Sequence, residues 1–240
     1  MIESFYYSIL DLFPSDYLPD DLLPAIWLTI KLTIIASLAG LVLAVPLSIL
    51  ALSKKKIIKL PIEAFSYFFR GTPLLVQIYL IYFGLGQFET VRNSGWLWEN
   101  ILTDAYKCAL IAFTLNTCAY TIEIFKGAIK HTPKGEIEAG IAFGMSKFTL
   151  FRRVIFPSGF RRALPAYSNE VIFMLHGTAQ ASVLTLIDIL GWARKVYSIT
   201  YSPFIPFLIA AAIYLVLTFF LVALFRYCEK RWLSHLQPTF

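Results

Sequence analysis

The chain has 240 residues, 58% of them hydrophobic and 15% charged, with a formal net charge of +6. A water-soluble domain carries about 25% charged residues, so too little polar surface is present to cover a globule of this size in water. The basic excess is distributed loop by loop, which excludes a nucleic-acid groove and makes the charge a report of membrane topology. Cys108, Cys118 and Cys228 are too scattered for a disulfide framework or a paired metal site. His131, His176 and His235 show no i, i+4 pairing, so neither a metal nor another cofactor is expected.

Residues 1–24 carry Glu3, Asp11, Asp16, Asp20 and Asp21 and no Lys or Arg. They lack the basic start and compact apolar core of a signal peptide. Phe5, Tyr6, Ile9, Leu10 and Phe13 recur at roughly helical spacing, ahead of a turn region at Pro14, Pro19 and Pro24. The segment reads as an amphipathic helix on the outer side of the membrane, where a stretch without basic residues is easily left.

The first apolar run covers residues 25–52. At 1.5 Å per residue it measures about 42 Å against a hydrocarbon core of about 30 Å, so it tilts or projects. Pro46 is placed to kink it, and Lys31 to snorkel from its outer part. Lys54, Lys55, Lys56 and Lys59 follow and mark the cytoplasmic side.

The second run is interrupted. Residues 62–69 are apolar apart from Glu63 and Ser66, Arg70-Gly71-Thr72-Pro73 breaks them, and a further apolar run occupies 74–88. Pro73 lacks a backbone donor and disfavours helix at Thr72. Irregular backbone at membrane depth must be covered by protein or line a cavity. Arg70 is costly in an apolar run unless it faces protein or water. It is either a ligand in a path or the neighbour of an ordinary helix break.

Residues 89–107 are polar, with Trp96 and Trp98 suited to an interface. The third run, 109–129, carries Asn116, Tyr120 and Glu123 at i, i+4 and i+7, one stripe of a helix. Such a stripe faces the bundle interior or a water-filled path. A polar loop at 130–162 precedes the fourth run, 163–184, which holds Ser168, Asn169, Glu170 and His176. Residues 184–206 read as an outer loop with Asp188, Arg194 and Lys195, and the fifth run is 207–225.

With the Lys54 loop, the 130–162 loop and the C-terminus on one side, that side carries fifteen Lys and Arg, and the other has Arg92, Lys107, Arg194 and Lys195. The positive-inside rule then gives an all-α membrane protein of five transmembrane helices, N-terminus outside and C-terminus cytoplasmic. Residues 25–232 form a single transmembrane domain. No GxxxxGK[ST] phosphate loop, GxSxG or HExxH motif is present, so ATP hydrolysis, if it drives the protein, is carried by another chain and this chain is no enzyme.

Within the cytoplasmic loop the spacing is unusual: Glu138-Ala139-Gly140, then Gly144, Val154, Phe156 and Pro157. It predicts a short helix over 136–144 with a small-residue side that another protein can approach closely. The pattern resembles the EAA loop of ABC importer permeases, with Gly140, Val154 and Phe156 as its substitutions. The phrase FRGTPLLVQ at 69–77, which ends on Gln77, resembles permeases for polar amino acids. AFTLNTCAYTIEIF at 112–125 and LPAYSNEVIFMLH at 164–176 are similar to the histidine/lysine/arginine/ornithine branch.

The resemblance implies a type I importer fold in a bacterial inner membrane. It implies two ATP-binding subunits, a second permease that is identical or paralogous, and a periplasmic or extracellular amino-acid-binding protein. The lipid bilayer is the remaining contact. Glu138, Ala139, Gly140, Gly144 and Pro157 would couple to the ATPase. Glu170 would meet the cationic group of the substrate, on a pathway with Asn169, Ser168, Glu123, Tyr120, Asn116, Arg70 and Gln77.

A carboxylate in a membrane helix usually marks a pathway, the reading favoured for Glu170; the alternative, for it and as evenly for Glu123, is a protonated or hydrogen-bonded carboxyl that stabilises a subunit interface. A stand-alone transporter using both acids as proton carriers would usually show internal repeats, and none is visible. A membrane enzyme using Glu170 would need a nucleophile or metal cluster. A non-transporting assembly subunit is a further reading.

Overall fold

The computed structural model describes residues 21–232. The expected amphipathic helix at Phe5–Phe13 and His235 lie outside the described residues. Among the described residues all regular structure is helical. Three helices are long and apolar enough to cross a membrane, and the number rises to five if each of two bent helix pairs is one span.

The first helix, α1, is Leu22–Ala51. Two of its interior hydroxyls bond back to its own backbone: Thr29 to the Ala25 carbonyl at 3.1 Å and Thr33 to the Thr29 carbonyl at 2.8 Å. These two are thereby satisfied without water, as an apolar solvent requires, whereas the buried Ser37 Oγ makes no hydrogen bond. Helix α2, Lys56–Gly71, ends where Pro73 forces Thr72 into an extended conformation, φ −114° and ψ 143°. Helix α3, Leu74–Tyr79, continues through one wide turn, Leu80–Gly84. The short α4, Glu89–Arg92, leads to α5, Ala105–Lys130. Asp104 caps α5 by accepting from the Tyr106 N–H at 2.9 Å.

The polar loop at 130–162 forms α6, Lys134–Ala142, and α7, Lys147–Leu150. Helix α8, Phe156–Gly177, carries the fourth run and tightens into a 3₁₀ segment, Thr178–Leu184. Residues 184–206, expected as a loop, contain helix α9, Ile189–Thr200. Ile189, Trp192, Ala193 and Val196 fall at i, i+3, i+4 and i+7, and all four are buried. Asp188 caps this helix by accepting from the Gly191 N–H at 2.9 Å, and Tyr201 ends it in the left-handed region, φ 54°. The last helix, α10, is Phe204–Trp232.

The chain divides into two compact units. Among the described residues, one takes 21–36, 74–113 and 174–219. Its cores are Leu32, Ile78, Phe113, Met174 and Leu184, and around α9 Ala25, Trp192 and Ala210. Buried Asp188 accepts there from the Tyr214 hydroxyl at 3.2 Å. Lys31, expected to snorkel, instead sits over the Tyr106 ring, 4.8 Å from its centroid. A ring face offers a cation more than bare hydrocarbon does.

The other unit takes, among the described residues, 37–73, 114–173 and 220–232. Phe125, Ala163, Tyr167 and Val171 form one core, Ala44, Cys118 and Ile122 another. The Tyr167 hydroxyl donates to the Ser37 carbonyl at 3.0 Å and ties α8 to α1. Gly40 lets α1 and α5 approach so closely that a Cβ there would overlap the Thr117 methyl and lie 3.2 Å from the Cys118 nitrogen. Gly40→Val should therefore destabilise the fold by about 1–3 kcal/mol through overpacking. The check is the temperature at which buried Cys118 becomes reactive to a thiol dye in detergent. An unchanged midpoint would show that the two helices are free to separate.

Candidate functional site

The site forms where α2 ends beside α5, within the second unit. A helix that stops leaves its last carbonyls without intrahelical donors. Three of them are received here by side chains. Thr72 Oγ1 donates to the Phe68 carbonyl at 2.8 Å, Asn116 Nδ2 to the Phe69 carbonyl at 3.2 Å, and Tyr120 Oη to the Arg70 carbonyl at 3.4 Å. Two members of the expected polar stripe of α5 thus hold the end of the broken helix.

The third member, Glu123, is bound into a ladder of charge. Its Oε1 accepts from Lys126 Nζ at 2.8 Å and from Ser66 Oγ at 3.3 Å. Lys126 also reaches Glu63 at 3.6 Å, and Glu63 pairs with Lys59 at 3.4 Å. Glu123 Oε2 lies 4.0 Å from the Arg70 guanidinium, which sits over the Tyr120 ring at 5.5 Å from its centroid. Ser66, Glu63 and Lys126 were not anticipated as members of this group. Their signal was present in Lys126, three residues beyond Glu123 on one helix face.

Glu170, on α8, is only 7% exposed. It lies beside Thr117 and feels the charge of Arg70. The Thr117 hydroxyl is fully buried and makes no hydrogen bond of good geometry, so it neighbours the carboxyl without satisfying it. Among the described residues, no Lys or Arg nitrogen lies within 4.0 Å of Glu170. The structure brings Arg70, Asn116, Tyr120, Glu123 and Glu170 into one neighbourhood.

Ser168 and Asn169 have a different setting. They line a cleft of 350 Å³ with Ile172 of α8 and Val222, Arg226 and Glu229 of α10. Ser168 Oγ is turned back onto the Pro165 carbonyl at 2.7 Å, while Asn169 is exposed. Gln77 is buried on α3, in the first unit. His176 Nε2 lies 3.0 Å from Thr218 Oγ1, as part of a side-chain hydrogen bond.

The EAA-like segment separates by role. Glu138, Ala139 and Gly144 are exposed, whereas Gly140 is buried, and a Cβ there would overlap Leu150 Cδ1. Gly144 has φ +72°, the left-handed turn that ends α6. Pro157 is the second residue of α8 and follows directly on the wide helical turn Phe151–Ile155 that runs α7 into α8; an insertion of this kind is where a helix can accommodate a residue without an N–H. Beside the exposed small residues, Ile141, Phe143 and Phe148 project into solvent, Phe143 being 85% exposed. These apolar residues in a polar loop were the signal that small-residue spacing alone left unused.

Residues 36–234 match the family model described as "Binding-protein-dependent transport system inner membrane component". The chain is 48% identical over 212 residues to the histidine/lysine/arginine/ornithine transport system permease protein HisM of Escherichia coli, covering 88% of this chain and 89% of that one. It is 43% identical over 213 residues to the nopaline transport system permease protein NocM of Agrobacterium fabrum, with 89% and 88% covered. Among solved structures it is similar to an amino acid ABC transporter crystallised with histidines. The TM-score is 0.78 at 33% identity, with 88% of this chain and 93% of that chain covered.

If Asn116 serves chiefly to receive the end of α2, replacing it with leucine removes its hydrogen bond to the Phe69 carbonyl. Asn116→Leu should cost about 1 kcal/mol of stability, the ordinary net contribution of such a bond. Tyr120→Phe, which removes a bond of 3.4 Å, should cost about 0.5 kcal/mol. Thermal denaturation in detergent of both variants tests the order. A larger loss for Tyr120→Phe would reverse the assignment of which side chain holds the break.

Proposed function

The chain belongs to the family of inner membrane components of binding-protein-dependent transport systems, and we infer from that membership how its two functional surfaces work. It is the membrane-spanning permease subunit of an amino-acid ABC importer in a bacterial inner membrane. It carries no ATPase itself; hydrolysis belongs to a separate pair of ATP-binding subunits. A second permease, identical or paralogous, completes the path, and an external binding protein delivers the substrate.

The substrate on this reading is an amino acid with a cationic side chain, of the kind named for the HisM relative. The single observation that carries it is the buried carboxyl of Glu170, with no close cation beside it among the described residues. Desolvating a carboxylate without a close partner is unfavourable, and a guanidinium or ammonium arriving from the substrate relieves it. Glu123 does not compete for this role, since Lys126 already occupies its Oε1 at 2.8 Å. Arg70, Asn116 and Tyr120 shape the path from the end of α2. Ser168 and Asn169 line it elsewhere.

Glu170→Gln keeps the volume and removes the charge. Uptake of arginine or lysine by the assembled importer should fall with a loss of about 2–5 kcal/mol of interaction, and neutral amino acids should lose least. Binding by the external protein should be unchanged. Equal loss for cationic and neutral substrates would make Glu170 a structural carboxyl, and full uptake of all of them would remove it from the path.

The N-terminus lies outside, residues 25–232 form the transmembrane domain, and the loop at 130–162 is cytoplasmic. There Glu138, Ala139, Gly140, Gly144 and Pro157 build the segment that meets the ATPase, and Ile141 and Phe143 are the apolar contact it offers. The support is the charge asymmetry between the two sides together with these projecting side chains. In a cysteine-free variant, Phe143→Cys should react with an impermeant thiol reagent in inverted vesicles, and more slowly once the ATP-binding subunits are present. Ser94→Cys should react from the outside. Labelling of Phe143→Cys in intact right-side-out cells would overturn the orientation.

A further inference from the structure

We propose that a cleft between the start of α8 and the end of α10 binds the headgroup of an anionic phospholipid, with Arg161 holding the phosphate and Trp232 forming part of the apolar wall. The site lies within the second unit, away from the residues assigned to the substrate. It depends neither on the substrate assignment nor on which side of the membrane the cleft faces.

The cleft has a volume of 400 Å³ and is lined by Phe156, Pro157, Phe160 and Arg161 of α8 and Trp232 of α10. Four of these five are apolar. The Phe156 and Phe160 rings lie one helical turn apart with centroids 6.1 Å from each other, and so form one wall. Arg161 supplies the charge. It is exposed, and among the described residues no carboxylate oxygen lies within 4.0 Å of it. Its neighbour Arg162 is the contrast, already paired with Glu136 at 3.0 Å. A guanidinium without a partner offers a planar fork of donors that matches a phosphate.

The position of the cleft selects a lipid. On α8 it precedes Ala163, where the fourth apolar run begins, and on α10 it follows Phe225, where the fifth run ends. Both helices therefore set it where hydrocarbon gives way to headgroups, the depth at which tryptophan is enriched. The surroundings are basic. Residues 147–163 hold five Lys and Arg and no acid, and Lys230 and Arg231 adjoin Trp232. The acid nearest in sequence on α10, Glu229, lines the other cleft with Arg226. A basic pocket between membrane helices at this level attracts anionic headgroups. Farther along α10 the exposed Phe220 and Leu224 present hydrocarbon to the acyl chains. A free phosphate would answer the charge and leave the aromatic walls wet.

The test titrates the delipidated permease–ATPase complex, in neutral detergent, with phosphatidylglycerol or phosphatidylcholine brominated near the start of the acyl chains. The emission of Trp232 is read as the difference between the wild type and Trp232→Phe. Phosphatidylglycerol should quench it at a concentration about fivefold lower than phosphatidylcholine does, the effect of one cation near an anionic lipid. Arg161→Gln should abolish that preference by raising the phosphatidylglycerol midpoint about fivefold, and leave phosphatidylcholine within about twofold. Arg153→Gln removes an exposed charge outside the cleft and should leave both midpoints within about twofold. Equal shifts in Arg153→Gln and Arg161→Gln would make the effect one of general surface charge, and an unchanged midpoint in Arg161→Gln would remove Arg161 from any lipid site. Either overturns the proposal. Reversal of the quenching by millimolar inorganic phosphate at constant ionic strength would give Arg161 to a free anion instead. Quenching seen in the permease alone and lost in the complex would give the cleft to the ATP-binding subunits; these two outcomes overturn it as well. If Arg161→Gln does not assemble, the wild type decides, because equal midpoints for the two lipids would sink the idea.

Discussion

Three carbonyls left over at the end of a helix organise the inner workings of this protein. Pro73 stops α2 by forcing Thr72 into extended backbone, and the Phe68, Phe69 and Arg70 carbonyls are then without helical donors. In a bilayer no water is at hand, and each unpaired carbonyl costs several kcal/mol. Thr72, Asn116 and Tyr120 supply the donors. One consequence is mechanical: α5 is locked to the end of α2 by side chains rather than by apolar packing alone. Another is electrostatic, because the last residue so held before Gly71 is an arginine. The break that needs the polar stripe also fixes where a positive charge enters the membrane domain.

The charges around that point are not independent. Lys59, Glu63, Lys126, Glu123 and Arg70 alternate in sign between α2 and α5. Each member of such a row offsets the desolvation of its neighbours. The row is anchored at the Lys126–Glu123 contact of 2.8 Å and loosest at the Arg70 contact of 4.0 Å. Its tight end ties α2 to α5, and its loose end leaves the Arg70 guanidinium over the Tyr120 ring.

The sequence made the broken second helix legible because Pro73 has local consequences that no partner can undo. The i, i+4, i+7 stripe on α5 was legible as a polar face, but periodicity cannot say what the face meets. Asn116 and Tyr120 turn out to receive carbonyls, a pairing 47 and 50 residues apart in the chain. Glu170 was legible as an acid in an apolar helix. That its neighbour Asn169 instead lines a cleft against α10 follows from the 100° step between adjacent helical residues. Helix α9 was missed because Arg194 and Lys195 gave its segment the look of a loop. Its buried stripe from Ile189 to Val196 was nonetheless in the right register, and Asp188 was there to cap it.

The EAA-like motif shows why a spacing pattern need not name the residues that make contact. Gly140 is small because Leu150 packs where its side chain would be, and Gly144 is small because the backbone turns left-handed there. Pro157 follows the wide turn Phe151–Ile155 inside a continuous helix, where the widened turn makes room for its ring. Each of these three is an instruction to the loop about its own shape. What the shape presents is Glu138, Ala139, Ile141 and Phe143 on the exposed side of α6 and just past its end. A substitution at Gly144 therefore disturbs a backbone conformation that side-chain residues rarely adopt, before it disturbs any surface. Loss of coupling from such a change reports on the turn. Loss from shortening Phe143, which is exposed and restrains nothing in its own chain, reports on the contact itself.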